Sequence, residues 1–92
     1  MTRIKITRLI WDEWNTEHIK KHNVTIAEVE EGIQNINAHR EGYAGRVALI
    51  GRAGKRILAL LVAPKENKTY YLVTVRDADK KERKLLYDNE KK

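Results

Sequence analysis

The fold is organised around one stretch near the carboxyl terminus, V-R-D-A-D-K-K-E-R-K-L-L-Y, residues 75–87. β-Branched and aromatic residues dominate residues 69–76, which predicts a buried strand that ends at Arg76. Asp79 is suited to cap a helix, and Glu82 three residues later completes a capping box. The stretch therefore predicts a strand that ends in an arginine and leads into a cationic helix, an arrangement suited to binding phosphate.

The composition excludes several classes of protein. The 92 residues contain no cysteine and no serine, which excludes disulfide frameworks, zinc knuckles and serine hydrolases. A chain of this length buries only about 60–65% of its unfolded surface, so we expect a single domain, residues 1–92, with one modest core. No apolar run approaches the roughly 20 residues needed to span a membrane, and basic residues interrupt residues 1–10, where a signal peptide would lie. We therefore expect a cytoplasmic protein.

Positive charge is concentrated in the second half of the chain. The net charge is +6. Residues 1–45 carry 6 basic and 7 acidic side chains, a net of −1, whereas residues 46–92 carry 13 and 6, a net of +7. Such concentration favours a polyanionic partner such as RNA, DNA or an acidic protein segment. A solubilising surface explains the same charge and is the commoner case, so charge alone does not choose between them.

The first half of the sequence predicts one strand and two helices. Alternating residues indicate a strand over 4–11, although the alternation breaks near its end. Asp12 opens a helix over about 12–22, and a capping-box sequence opens a second over about 25–34. Asn23, between them, occupies a position where a left-handed residue is wanted.

The second half predicts a three-stranded meander followed by a helix. Residues 35–45 are polar and contain two glycines, so we expect an irregular connection. Strands are predicted over 46–51, 56–63 and 69–76, with a hairpin turn at Ala53-Gly54. The second of them is apolar throughout, which indicates a central strand covered on both faces. The predicted fold class is α+β, a small antiparallel sheet in the order β-α-α-β-β-β-α.

The basic C-terminal helix is the first candidate site. Helical spacing places four of its side chains on one side: Lys80, Arg83, Lys84 and Tyr87. RNA cleavage without a metal uses the 2′-hydroxyl as nucleophile, and needs a proton acceptor, cations at the crowded phosphate and a donor for the leaving oxygen. Strand alternation places Arg76 on the same face as Leu72, from where it could flank one anion together with Arg83. On spacing alone, a surface ion pair of Arg83 with Asp79 or Glu82 is the favoured interpretation.

The aromatic and histidine residues of the first helix are the second candidate. His18 and His22, at i and i+4, could chelate zinc, but no third ligand is evident and a structural role is favoured. His22 is a good candidate for a general base, because histidine changes charge near neutral pH. Trp11 and Trp14 could stack on bases, although filling a core that lacks phenylalanine is the favoured interpretation.

Basic residues on or near the predicted first hairpin are the third candidate: Arg46, Arg52, Lys55 and Arg56. They form either a basic patch carried by strands or a charged edge that prevents strand pairing. The sequence supports the two interpretations about equally.

Three stretches, taken in order, resemble the BrnT family of toxins. Residues 8–31 (RLIWDEWNTEHIKKHNVTIAEVEE) resemble its opening, in which a W-D segment leads a helix ending in K-H-G-[VI] and a second, acidic helix follows. Residues 46–63 (RVALIGRAGKRILALLVA) resemble its central hairpin, and residues 73–87 (VTVRDADKKERKLLY) resemble its closing [ST]-A-R-x-A-[TS]-x-x-E-R-x-x-Y segment. The resemblance implies a RelE-like fold and a type II toxin–antitoxin ribonuclease. It also implies inactivation by a ribbon-helix-helix antitoxin that represses its own operon and through which an oligomer can form.

The resemblance also implies a set of site residues. By position, the family's K-H pair, strand-end arginine, helix E-R pair and terminal tyrosine are Lys21-His22, Arg76, Glu82-Arg83 and Tyr87. The chain departs from the family pattern at five places. Asn23 and Val75 replace the family's Gly and Ala, and the acidic residues Asp77 and Asp79 lie in the basic turn. Tyr87 comes one residue later than in the family, which corresponds to about 100° round a helix.

The leading interpretation is a metal-independent endoribonuclease that acts on mRNA and needs no cofactor. Arg76 and Arg83 are assigned to the phosphate and the transition state, and His22 to proton transfer. Lys21 and Lys80 give electrostatic support. The remaining RNA-binding candidates are Arg52, Arg56, Lys84 and Tyr87.

Two other interpretations stay open. The first is a non-catalytic module of the same fold that binds nucleic acid or an acidic antitoxin segment, and Asp77 and Asp79 favour it. The second is a metalloprotein that uses His18 and His22.

Overall fold

The computed structural model describes residues 4–90, except for the side chains of Tyr43 and Asn89. These residues form β1 (Arg8–Ile10), α1 (Glu13–Lys20), α2 (Ile26–Gln34), β2 (Ile36–Glu41), β3 (Val47–Ala53), β4 (Arg56–Pro64), β5 (Thr69–Asp77) and α3 (Lys80–Glu90). The α+β class, with two N-terminal helices and one C-terminal helix, is confirmed. Within the described part, no helix is both long and apolar enough to cross a membrane.

The strands form one mixed sheet in the order β1-β5-β4-β3-β2. The β3–β4 and β4–β5 pairs are antiparallel, as predicted, and the unpredicted strand β2 also pairs antiparallel with β3. β1 instead runs parallel to β5, with Leu9 opposite Tyr70. The periodicity of one strand carries no information about the direction of its partner, which explains why the parallel pair was not predicted.

The prediction of an irregular connection over 35–45 was wrong where β2 forms. This strand pairs with β3 along the edge of the sheet, and its second half, His39 to Glu41, is exposed. Polar residues are what an exposed edge strand carries, so the polarity that suggested a loop reflects the position in the sheet.

Two predicted boundaries also shift. β1 covers only Arg8–Ile10 of the predicted 4–11, and residues 1–3 lie outside the described part. The hairpin loop is Gly54-Lys55, since Ala53 still pairs with Arg56. Gly54 has a φ of 63°, a left-handed conformation that glycine adopts without steric cost.

The sheet is covered on both faces, and β4 shows this most clearly. Leu58 and Leu60 belong to the larger core beneath α1 and α2, while Ile57 belongs to a smaller cluster beneath α3. Leu86 anchors α3 on that second face and is fully buried. Burial of one such side chain contributes about 1.5–3 kcal/mol. The predicted central, doubly covered strand is confirmed.

A β-bulge at Val73 decides which face of the sheet Arg76 reaches. The pairing of β5 with β4 shifts between Leu61–Thr74 and Val62–Leu72, so Val73 has no partner. As a result Leu72 and Val75 both enter the core beneath α1 and α2. Arg76 therefore lies on the face opposite Leu72, towards α3. The prediction that the two share a face was wrong because a bulge adds one residue to the alternation.

Close contact between two backbones sets the position of α2. A Cβ atom on Gly51 of β3 would collide with the carbonyl oxygen of Gly32 in α2. The absence of a side chain at Gly51 thus allows α2 to lie directly on the sheet, which brings its first turn to the start of β4.

Candidate functional site

The turn between α1 and α2 exposes the Lys21-His22 pair. Asn23 has a φ of 57°, so its predicted left-handed conformation is confirmed. The N–H of Val24 donates to the carbonyl oxygen of Ile19 at 3.2 Å, and that of Asn23 to Lys20 at 3.1 Å. This is the Schellman pattern of hydrogen bonds, completed by two buried side chains, Ile19 and Val24. The turn is therefore rigid and presents the His22 and Asn23 carbonyl groups outward from the helix end.

A buried asparagine fixes α1 to the sheet. Asn15 is fully buried, and its amide donates to the carbonyl oxygens of Ile10 at 2.9 Å and Leu72 at 3.0 Å. Its own Oδ1 accepts from the backbone N–H of Asp12 at 2.9 Å, which closes the capping box that begins α1. No local pattern marks Asn15, because one of its acceptors, the carbonyl oxygen of Leu72, lies 57 positions further along the chain.

Arg56 joins the start of β4, the end of β5 and the α1–α2 turn. It donates from Nε to Asp77 Oδ1 at 2.6 Å and from Nη2 to Asp77 Oδ2 at 3.2 Å. Nη1 donates to the carbonyl oxygen of Asn23 at 2.7 Å and to both carboxylate oxygens of Glu28 at 3.2 Å. A longer contact, 3.4 Å, reaches the carbonyl oxygen of His22. Arg56 thus holds the segment that carries His22.

The carboxylates around Arg56 stay charged. Hydrogen bonds from Arg56 lower the pKa of Asp77. The pKa of Glu28 is lowered first by the backbone N–H of Thr25 and then by Arg56. Hydrogen bonding to Asp77 in turn raises the pKa of Arg56. Two carboxylates surround one guanidinium, so a phosphate can reach Arg56 only by displacing one of them.

Arg76 is engaged in the same way on the other face of the sheet. It donates from Nη1 and Nη2 to the two carboxylate oxygens of Glu82, at 2.7 and 2.9 Å. Glu82 also forms the predicted capping box with Asp79, through two hydrogen bonds of 2.8 Å. The hydrogen bonds from Arg76 lower the pKa of Glu82. The strand-end arginine is therefore tied to the first turn of α3.

A third arginine is occupied at the far end of α3. Arg52 donates from Nε and Nη2 to the Glu90 carboxylate, at 3.1 and 2.9 Å. The hydrogen bonds to Glu90 raise the pKa of Arg52. This pair connects β3 to the end of the helix.

The outer side of α3 carries the cations that no carboxylate occupies. Five exposed side chains line a shallow depression there: Lys80, Lys81, Arg83, Lys84 and Tyr87. Within the described residues none of these cations forms an ion pair, and the pair of Arg83 with Asp79 or Glu82 favoured by spacing is not found. The pKa of Asp77 is lowered first by the hydrogen bonds from Arg56, and the positive charge of Arg83 makes a smaller contribution. The grouping predicted from helical spacing is confirmed.

Three aromatic rings form a ladder on the exposed side of α1. The Trp14 and His18 rings are stacked, with centroids 4.9 Å apart and planes inclined by 8°. The His22 ring follows at 5.2 Å from His18, tilted by 60°. His18 Nε2 and Thr74 Oγ1 share a hydrogen bond of 2.9 Å. Lys21 lies beside the ladder and lines the same surface depression as Trp14 and His18.

The two tryptophans have different environments. Trp11 packs against the core, and its Nε1 donates to Glu30 Oε1 at 3.0 Å. Trp14 is 58% exposed, so the prediction that both fill the core was wrong for this residue. Among residues 4–90 no three side chains of His, Cys, Asp or Glu are grouped so as to hold a metal ion.

One end of the sheet gathers part of the predicted site. The α1–α2 turn with Lys21 and His22 meets the Arg56–Asp77 pair there, and α3 begins three residues after Asp77. Arg76 lies on the α3 face with Glu82, and Arg52 is tied to the last turn of α3. Sequence reasoning missed Glu28 as an Arg56 partner, and 28 residues separate the two, so no local pattern could have shown it.

The structure is similar to one solved crystal structure at 1.1 Å resolution, that of the Brucella abortus ribonuclease toxin BrnT. The TM-score is 0.63 at 25% sequence identity, and the similarity covers 79% of this chain and 97% of that one. No protein-family model and no curated protein sequence matches the chain. The resemblance to the BrnT family inferred from the sequence is thereby confirmed at the level of the fold.

Proposed function

We propose that this chain is the toxin of a type II toxin–antitoxin pair and cleaves mRNA in the cytoplasm as a metal-independent endoribonuclease. The similarity to the ribonuclease toxin BrnT carries the proposal. In this interpretation residues 1–92 form one toxin domain. The cationic outer side of α3 and the exposed His22 support the assignment, because cleavage of a phosphodiester needs cations at the phosphate and a proton acceptor.

The proposed reaction begins at His22. Its exposed imidazole accepts the proton of a ribose 2′-hydroxyl, and the 2′-oxygen attacks the adjacent phosphorus. The bond between phosphorus and the 5′-oxygen breaks, that oxygen takes a proton from water, and His22 releases the proton it accepted to the solvent. The products are a 2′,3′-cyclic phosphate and a 5′-hydroxyl. Arg83, which is exposed and forms no ion pair among residues 4–90, stabilises the additional negative charge on the phosphate oxygens.

The other proposed residues act at different distances from the phosphate. Arg76 can form a bidentate contact with a phosphate through its two Nη atoms only if the substrate displaces Glu82. Arg56 holds the His22 segment, so its main role in catalysis is to position that residue. Arg52 is held by Glu90 and contributes positive charge at the edge of the surface. Lys21, Lys80 and Lys84 attract the backbone, and Tyr87 offers an exposed ring for stacking.

The experiment that tests this function measures RNA cleavage directly. We expect the purified protein to cut mRNA in the presence of EDTA and to leave cyclic phosphate termini. His22→Ala should abolish the cuts. Arg46→Ala is the matched control, because this exposed arginine lies at the opposite end of β3 from the site. Intact RNA with the wild-type protein, together with normal growth of cells that express it, contradicts the proposal.

The proposed partner is a ribbon-helix-helix antitoxin encoded next to the toxin gene. Co-expression with that neighbour should restore growth, and the two proteins should purify together. An oligomer that forms only when the neighbour is present is the expected arrangement. Growth inhibition that the neighbour does not relieve contradicts this part of the proposal.

A second candidate is a binding module without catalysis. The observation in its favour is that Arg52, Arg56 and Arg76 are all paired with carboxylates. A module of this kind binds RNA through the α3 lysines, with an affinity that falls steeply as salt is added. Recovery of intact RNA from such complexes would support it over the ribonuclease.

A further inference from the structure

Trp14 is the most exposed large hydrophobic side chain that the structure describes. Its exposed fraction is 58%, against 47% for Leu85 and Tyr87. The ring is nevertheless held in place, since His18 stacks against one face and itself shares a hydrogen bond with Thr74 of β5. An indole that stacks on one ring and is more than half exposed has the form of a stacking surface.

We propose that Trp14 and His18 form a platform on which one nucleobase of the RNA substrate stacks. The inference rests on the proposed function, which supplies the RNA. Every base presents a flat π-face, so an exposed aromatic ring binds single-stranded RNA with little dependence on sequence. A base that stacks on Trp14 forms a continuous stack with the Trp14 and His18 rings.

The charges around the platform favour a base over a phosphate at Trp14. Glu13, Glu17 and Lys21 line the same depression. Glu17 pairs with Lys20 at 3.3 Å, whereas Glu13 forms no ion pair within residues 4–90. Carboxylates repel phosphate and accept hydrogen bonds from base N–H groups. The platform therefore suits a base with an exocyclic amino group, while Lys21 lies beside it to meet the backbone.

The ladder connects this platform to the proposed reaction site. The His18 and His22 ring centroids are 5.2 Å apart. The carbonyl oxygen of His22 accepts from Arg56, which binds Asp77, and α3 begins three residues after Asp77. A base on Trp14 thus belongs to a nucleotide close to the phosphate that is cut. This continuity favours RNA over a protein partner as the ligand.

The test uses an RNA that binds but cannot react. A fluorescein-labelled 2′-O-methyl oligonucleotide has no free 2′-hydroxyl, so fluorescence anisotropy reports affinity whether or not the protein is a ribonuclease. We expect Trp14→Ala to raise the Kd about tenfold and Trp14→Phe to raise it much less. Ile26→Ala removes another exposed apolar side chain and should leave the Kd unchanged.

Two further measurements distinguish stacking from other causes. Removing the base at one position of the oligonucleotide should abolish the difference between wild type and Trp14→Ala. The salt dependence of binding should be equal for these two proteins, because stacking releases no counterions, whereas Lys21→Ala should reduce the slope by about 0.7. Circular dichroism of each variant establishes that it is folded.

The results separate this inference from the proposed function. Equal affinities of wild type and Trp14→Ala, or no binding by the wild type at low salt, overturn the platform. Cleavage of unmodified RNA together with equal affinities leaves the ribonuclease in place and removes the platform alone. Base-dependent binding without any cleavage of unmodified RNA supports the platform and contradicts the ribonuclease. An effect of Trp14→Ala on antitoxin binding with none on RNA affinity also overturns the platform.

Discussion

The arginines of the strands and the cations of α3 carry the same charge in very different surroundings. Arg56 and Arg76 each donate two hydrogen bonds to one carboxylate, Asp77 and Glu82 respectively. Arg83, Lys80 and Lys84 lie on the outer side of a helix, and in the described part of the chain none of them forms an ion pair. Positive charge in a sequence is therefore available to bind phosphate only where the fold leaves it unpaired.

Arg83→Ala removes one of the unpaired cations of α3 and should have the largest effect. Because Arg83 is proposed to stabilise the charge of the transition state, we expect the rate of RNA cleavage to fall about 100-fold. The free energy of unfolding should change by less than about 0.5 kcal/mol, since the side chain is exposed. Single-turnover cleavage and urea unfolding measure the two quantities. Arg46→Ala serves as the control, and an Arg83→Ala protein that cleaves as fast as the wild type refutes the role.

Arg56→Ala tests how much an arginine paired with carboxylates stabilises the fold. It removes hydrogen bonds to Asp77, Glu28 and the Asn23 carbonyl group, and we expect the free energy of unfolding to fall by about 1–2 kcal/mol. The loss is modest because the Asp77 side chain is 65% exposed, so solvent screens its pairing with Arg56. Urea unfolding measures the loss. A variant as stable as the wild type would show that the carboxylates hold Arg56 without stabilising the fold.

The double variant Lys80→Ala/Lys84→Ala measures how much of the binding is electrostatic. Loss of two phosphate contacts should weaken binding of single-stranded RNA several-fold at low salt and reduce the slope of log K against log salt concentration by about 1.4. Anisotropy titrations over a series of salt concentrations give the slope. Lys65→Ala, in the turn at the opposite end of β4, is the matched control, and an unchanged slope in the double variant argues against contact with phosphate.

Glu82→Gln converts Arg76 from a paired to an unpaired arginine. Glutamine keeps an oxygen that can accept the capping hydrogen bond from Asp79, while the charge that holds Arg76 is removed. If Arg76 can contact phosphate, RNA should bind about threefold more tightly. Asp88→Asn, on the same helix, controls for the simple loss of a negative charge. Weaker binding by Glu82→Gln would place Arg76 in a structural role only.

The smallest expected effect is on the pH dependence of the free energy of unfolding. The folded-state pKa values of Asp77 and Glu28 are lowered, so their pairing with Arg56 stabilises the fold above the ordinary values of 3.8 and 4.5 and is lost as pH falls through the lower, folded values. The stability difference between wild type and Arg56→Ala should therefore shrink at acidic pH, by less than about 1 kcal/mol. Urea unfolding at neutral and acidic pH gives this difference, and a constant difference contradicts the linkage.

Local chemistry was predictable from the sequence alone. The Thr25–Glu28 and Asp79–Glu82 capping boxes, the left-handed Asn23, the order of the elements other than β2 and the doubly covered β4 all follow from residues within a few positions of one another. The same holds for the shared side of the α3 cations. These features depend on interactions within one turn or one strand, which the order of residues specifies directly.

Tertiary structure alone decided the rest. The bulge at Val73 turned Arg76 towards α3, and the sheet edge made a strand of the polar segment 36–41. The partner of each arginine came from residues that are distant in sequence, as with Arg56 and Glu28. The side chains of α1 show the same division, since their spacing aligns Trp14 with His18, but only the position of α1 on the sheet leaves Trp14 exposed. Local sequence determines which groups a segment carries, whereas long-range packing determines which of them meet and which remain free to bind.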